Sequence, residues 1–201
     1  MGKSLGIGCL VLVLVAVLVF GGLAVGAYNR LNSADQNVTA KWSQVENQYQ
    51  RRLDLIPNLV ETVKGAADFE KSTLEAVIKA RASATQVKLD ANTVKDPAAF
   101  ARYQQVQDQL GGALGRLLVS VEKYPELKAN QNFRDLQVQL EGTENRITVE
   151  RMRFNEAAQA FITKRMSFPT VIIANFMGKR FQEKAYFKAQ AGAETAPKVQ
   201  F

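Results

Sequence analysis

The chain of 201 residues carries 26 Lys and Arg against 19 Asp and Glu, a formal charge of +7, with no histidine and a single cysteine. Without histidine the commonest general base and the commonest metal ligand are both missing. Neither His- nor Cys-assisted nucleophilic catalysis has a candidate outside the apolar segment that holds the one cysteine, and the positive charges are scattered among carboxylates rather than gathered into an arginine-rich arm, which argues against nucleic acid as a partner.

Residues 1–4 form a short flank. Residues 5–28 contain no charged side chain, and Leu10 to Phe20 read LVLVLVAVLVF. About 20 apolar residues cross a bilayer as a helix, so this segment is long enough to be an anchor. A cleaved signal peptide is the competing reading, with Val25-Gly26-Ala27 as a small-residue cleavage site; the uninterrupted apolar length favours the anchor. Gly6 stands where a myristoylation signal needs Ser or Thr, and Cys9 precedes the apolar run that a lipoprotein cysteine would follow. Gly22 and Gly26 make a small-xxx-small motif through which two spanning helices can approach and self-associate. Lys3 lies before the span, and Arg30 and Lys41 follow it, so positive-inside counting is nearly balanced. The short basic N-terminus tips the reading toward a C-terminal domain on the extracytoplasmic side.

Residues 29–168 read as an all-α bundle. Val38, Trp42, Val45, Tyr49, Leu53, Ile56, Val60 and Val63 recur at alternating steps of three and four, one apolar stripe along a helix. Ser33 and Gln36 resemble a capping box, and Leu74, Val77, Ile78 and Arg81 continue the pattern. The spacing predicts one long segment from Ser33 to Ser83, kinked at Pro57, where proline removes a backbone donor. Thr85–Pro97 is loop chemistry ending in an Asp96-Pro97 helix start. A second helix follows from Ala98 to about Lys123, striped by Phe100, Tyr103, Val106, Leu110, Leu114, Leu117 and Val121. A third starts near Asn130 and ends before Pro169, striped by Phe133, Leu136, Leu140, Thr143, Ile147, Phe154, Ala158 and Phe161. Gly111, Gly112 and Gly115 weaken the second helix and predict close helix contact. The sum is an antiparallel bundle of long helices. Residues 169–191 are basic and aromatic, either a fourth docked helix or a segment on the membrane surface with Lys179, Arg180, Lys184 and Lys188 as lipid contacts. Residues 192–201 read as a flexible tail.

Arg51, Asp54, Asn58 and Glu61 form a polar stripe beside the apolar one, and Glu141, Glu144, Thr148, Arg151 and Asn155 do the same on the third helix. Facing each other, the two stripes predict a buried hydrogen-bonded network; a partner surface is the second reading and catalysis the third. Asn58 and Arg51 are also the expected partners for carbonyls freed by Pro57. The Glu-x-x-His pairs of a di-iron bundle are absent, and Gly2-Lys3-Ser4 lacks the strand and glycine loop of a phosphate site. No metal, cofactor or small-molecule substrate is therefore expected, and the chain reads as non-enzymatic.

In order along the chain, "YNRL", "RRLDLIPNLVETVKGAADFE", "KAR", "EKYPELKANQNFRDLQVQLEGTENRI", "ERMRFNEAAQAF" and "FP" resemble the LemA family over nearly everything beyond the span. The positions that match include Arg52, Asp54, Pro57, Asn58, Glu61, Glu70, Arg81, Glu122, Tyr124, Glu144, Asn145, Arg151 and Asn155. The resemblance implies a bacterial inner-membrane protein with a short N-terminus, one transmembrane helix and an all-helical domain, and it implies no reaction. The combined expectation is a membrane-anchored scaffold in the cell envelope that self-assembles or binds other membrane proteins. The alternative is a protein that binds or shapes the lipid surface.

Overall fold

The computed structural model describes residues 2–66, 69–87 and 93–188, and the side chains of these apart from residues 2–7 and 9. Among the described residues there are six α-helices and no strand: α1 (Gly2–Lys64), α2 (Lys71–Gln86), α3 (Pro97–Val121), α4 (Pro125–Ala129), α5 (Gln131–Met166) and α6 (Thr170–Phe176), with short 3₁₀ turns at Thr93–Lys95 and Gly178–Phe181. The all-α bundle expected from the apolar periodicity is the observed fold.

The apolar segment and the first bundle helix are one element. α1 runs for 63 residues with no break at Ser33, so the Ser33–Gln36 capping box is not used. A cap matters only where a helix begins, and here apolar residues upstream already carry the helix in. Leu10–Phe20 are mostly exposed, and an 18-residue window of this helix has a mean hydropathy of 2.8 with only 6% of it buried. This is a helix long and apolar enough to cross a membrane. From Ala27 and Leu31 onward the same helix is buried in the bundle, and all eight residues of the predicted stripe from Val38 to Val63 are buried.

The helix also continues through Pro57. The chain turns only after Lys64, at Gly65 and Ala66, so α2 is a separate helix rather than the continuation of a kinked one. Proline leaves the carbonyl four residues earlier, that of Leu53, without its helical donor. The structure fills that vacancy from elsewhere: Arg81 Nε on α2 donates to Leu53 O at 3.2 Å. Neither Arg51 nor Asn58 takes this role. On α2, Leu74 and Val77 are buried as expected, whereas Ile78 faces solvent.

Asp96 caps α3, accepting from the backbone of Ala98 and Ala99, with Pro97 in the first helical position. Asn130 caps α5 by accepting from Phe133 N. α1 packs along α5 and α2 along α3. Trp42 meets Phe154, and Arg52 meets Glu144; residue numbers fall on α5 as they rise on α1, so the two are antiparallel. Two hydrophobic clusters result. The anchor-proximal one gathers Leu31–Tyr49, Val94, Phe100, Tyr103, Ile147–Phe161 and the C-terminal residues Ala174, Phe181 and Phe187. The distal one gathers Leu53–Val63, Leu74–Ala84, Leu110–Val121 and Leu127–Leu140.

The region after α5 is neither of the two expected forms as a whole. α6 is one short helix; Gly178, at φ +52°, turns the chain into the 3₁₀ turn, and residues 182–188 then run as an extended strap across the bundle. Phe181 and Phe187 are its buried plugs. The tail expected at 192–201 lies outside the described residues, as do residues 189–191.

Candidate functional site

The two clusters meet at a polar layer halfway along the bundle. Its centre is Arg52, only 2% exposed. Tyr49 is three residues before it, Leu53 adjacent and Ile56 four residues after, so the helical period places this guanidinium on the buried face of α1. Arg52 Nη1 donates to Glu144 Oε2 at 2.8 Å, while Nη2 donates to Gln107 Oε1 at 2.6 Å and to the Gln107 carbonyl at 3.1 Å. Three helices are tied through one side chain. Nearby, Arg151 lies 3.8 Å from Asp108 and its guanidinium covers the Phe187 ring at 4.5 Å. Asn155 holds the strap in both directions, donating to Phe187 O and accepting from Phe187 N, each at 3.0 Å.

Tyr49 and Tyr103 stack edge to face at 5.3 Å beneath this layer. Burial pushes the Tyr49 hydroxyl up to about 12, with Arg151 and Arg52 opposing the shift. Tyr103 is raised further by burial and by Tyr49, and its hydroxyl has no hydrogen-bond partner. Both phenols are therefore neutral packing groups at physiological pH, unsuited to act as bases.

A polar layer does join α1, α3 and α5 here, but it is not the buried pairing of two stripes: Glu144 is exposed, and none of the four α1 residues expected to face inward belongs to it. Glu144, Arg151 and Asn155 take part. Arg51, Asp54, Asn58 and Glu61 do not: all four are exposed, Asp54 accepts from Gln50 at 2.7 Å, and Glu61 accepts from Lys64 at 2.9 Å. A stripe adjacent to an apolar stripe points to solvent once the helix is packed, and the inward polar residue was the one within the apolar stripe, Arg52. Glu141 is exposed and pairs with Gln137, and Thr148 bonds back to its own helix. Gln107 and Asp108 of α3 were not anticipated; Gln107, three residues before Leu110 and four after Tyr103, was legible as an inward position.

An ion pair buried on both sides sits nearer the apolar segment. Lys184 Nζ lies 2.5 Å from Asp35 Oδ1 and over the Phe161 ring at 4.9 Å. Its burial lowers the ammonium pKa, with Asp35 opposing. Lys184 is 4% exposed, which removes it from the expected lipid contacts: it pins the strap to α1 instead. Asp35 is on the inward face by the same periodic logic as Arg52, four residues after Leu31 and three before Val38. Lys179, Arg180 and Lys188 are exposed. Arg180 donates to Asn32 at 3.0 Å, and the Lys188 carbonyl accepts from Gln104 at 2.9 Å.

Above the polar layer α3 and α5 leave a cleft of about 480 Å³, floored by Tyr49 and Arg52 and walled by Gly111, Gly112, Gly115, Glu141 and Glu144. The expected close helix contact at the glycines is not what they make. A methyl group at Gly115 would meet nothing within 4 Å, and one at Gly111 would meet only the Arg52 guanidinium at 3.7 Å. The glycines keep one wall of the cleft bare. With two guanidinium groups, three carboxylates and an apolar rim of Leu114, Leu118 and Leu140, the cleft offers ion pairing and hydrogen bonding to a bound segment.

The match to the LemA family model spans residues 41–201, which includes the polar layer and its cleft. This chain belongs to the LemA family. Curated relatives extend the likeness toward the anchor. Magnetosome protein MamQ 2 of Paramagnetospirillum magneticum is 23% identical over 208 residues, covering 92% of this chain and 74% of the relative. Magnetosome protein MamQ of Magnetospirillum gryphiswaldense is 24% identical over 184 residues, covering 84% and 67%. Protein LemA of Metamycoplasma hominis is 21% identical over 156 residues, covering 78% and 67%. Within this LemA-family chain, Arg52, Arg81, Glu144, Arg151 and Asn155 of the matching motifs all make the structural contacts described above.

Proposed function

We propose that the protein is a non-enzymatic, membrane-anchored helical scaffold of the bacterial cell envelope that self-assembles or holds partner proteins. The observation that carries this reading is the continuity of α1, which is at once the apolar segment and the central helix of the bundle. A span joined to its domain by an unbroken helix transmits position and orientation, whereas a flexible linker would not. Gly22 and Gly26 have open space where a Cβ would stand, so the face they form is available to a second spanning helix. The glycine-walled cleft is the place for a partner segment. The inner membrane, with the bundle on the extracytoplasmic side, is the location that the basic N-terminus supports.

Light scattering of the full chain in mild detergent tests this. A mass well above monomer that falls when Gly22 and Gly26 are replaced by Ile is the expected result. A clean monomer that captures no partner on crosslinking in cells overturns the proposal. A Cys9→Ala, Gln200→Cys variant labelled by a membrane-impermeant thiol reagent reports the side: labelling in intact cells with the outer envelope opened supports the extracytoplasmic placement, and labelling only after lysis overturns it.

A further inference from the structure

The anchor-proximal end of the bundle exposes apolar side chains that its own packing does not use. Phe176 is 89% exposed, Phe168 81%, Met166 64% and Ile172 57%. These residues close the end of α5 and form the outer face of α6. Their inward neighbours fix their height. Ala174 packs in the cluster with Leu31 and Ala34, Phe181 meets Tyr28 at 5.8 Å, Arg180 reaches Asn32, and Arg165 Nε donates to Phe181 O at 2.7 Å. All these contacts fall on α1 residues 28–34 or the last turn of α5. Val25, the last exposed large apolar residue of the span, is three residues from Tyr28, about 5 Å along the helix axis. The exposed apolar patch therefore stands beside the point where α1 leaves the apolar span.

The exposed charges around it are mostly positive. Arg30, Lys164, Lys179 and Arg180 are exposed, and Glu183 is the carboxylate facing them, 3.5 Å from Arg165. Asp35, the other nearby acid, is buried against Lys184. Large exposed apolar patches mark a surface that is covered in use. A patch rimmed by Lys and Arg at the mouth of a spanning helix matches the headgroup–acyl boundary, where apolar side chains sink and basic ones meet anionic lipid.

We infer that this end of the bundle is a membrane-seated collar. Met166, Phe168, Ile172 and Phe176 enter the boundary of the bilayer that α1 crosses, and Arg30, Lys164, Lys179 and Arg180 lie against its anionic headgroups. The inference rests on α1 being the anchor. Two attachments, span and collar, hold the bundle upright. They place the polar layer at Arg52 about 40 Å from Val25 along α1, so that the cleft is presented at a fixed height above the lipid.

The test uses the full chain with Cys9→Ala in vesicles of phosphatidylcholine and phosphatidylglycerol, spin-labelled at single cysteines. Ile172→Cys and Phe176→Cys report on the collar. Val138→Cys, on the equally exposed but distal part of α5, is the water control, and Val15→Cys is the span control. The collar predicts that labels at 172 and 176 become several-fold less accessible to a water-soluble nickel chelate than the label at 138, and more accessible to oxygen. Labels at 172 and 176 as chelate-accessible as the one at 138 overturn it. Labels shielded from both reagents overturn it in favour of a contact between copies of the chain. A water-accessible label at 15 would instead overturn the anchor itself, so the two failures are distinguishable.

Discussion

The two halves of the bundle are built from different chemistry. Around Trp42 the anchor-proximal half is a knot of rings: Phe100, Tyr103, Phe154 and Phe187 all lie 5.5–6.1 Å from it. The distal half is mostly aliphatic: among the described residues Phe133 is the one fully buried ring in its core, with Phe69 and Tyr124 partly buried at its edge. The aromatic half must also hold a strap of extended chain, and a strap has no internal hydrogen-bond ladder to hold it. Large flat side chains bury much area at few fixed torsions, and ring pairs add ~0.5–1.5 kcal/mol each beyond that area. The distal helices hold themselves through ridges of Leu and Val. A non-helical element was accommodated where aromatic anchors could seize it.

Trp42→Ala is expected to break this difference most strongly, costing ~3–5 kcal/mol and raising hydrogen exchange at residues 182–188. Leu117→Ala in the distal half should lower the melting temperature while leaving exchange in the strap unchanged relative to its surroundings. Lys184→Ala leaves Asp35 buried without its partner and is expected to cost ~3–5 kcal/mol as well. Replacing both, Asp35→Leu with Lys184→Met, should restore most of the melting temperature, because two buried charges are then removed together. If the double variant is as unstable as the single one, the loss does not come from Asp35 left buried without its partner.

The polar layer between the halves has its own signature in pH. Unfolded, Tyr49 loses its proton near 10; folded, near 12. Between those values the folded chain holds more protons than the unfolded one, so stability falls as pH rises through that window, by about 2–3 kcal/mol at its upper end. Denaturant unfolding of Tyr49→Phe should show a shallower loss from pH 10 upward. Smaller still is the link between Pro57 and Arg81. Arg81→Ala should cost ~1 kcal/mol with Pro57 present and less with Pro57→Ala, whose restored N–H satisfies Leu53 O from within the helix. Glu61→Gln on the exposed stripe should change stability by under ~0.5 kcal/mol, which a thermal melt would resolve from the Trp42 effect at once.

The stripes of α1, α3 and α5 were legible because a helix buried on one face must repeat its apolar residues at three and four. That rule needs nothing beyond the local chain, and nearly every stripe residue is buried. The same rule, applied to charged residues, would have found Arg52 and Asp35, since each stands on the apolar face with buried neighbours three and four positions away. Reading Arg51 rather than Arg52 as inward came from following polar residues as a stripe of their own instead of asking which polar residue broke the apolar one.

Sequence alone therefore determined the all-α class, the apolar stripes, the apolar span and the family, all properties of local periodicity and of motif order. Only the tertiary structure decided that Arg81 answers the vacancy Pro57 leaves, that Lys184 is a buried pin rather than a lipid contact, and that three glycines open a cleft instead of closing a helix contact. Each of those depends on which groups from distant parts of the chain meet, and a polar or bare position takes its meaning from the partner brought against it.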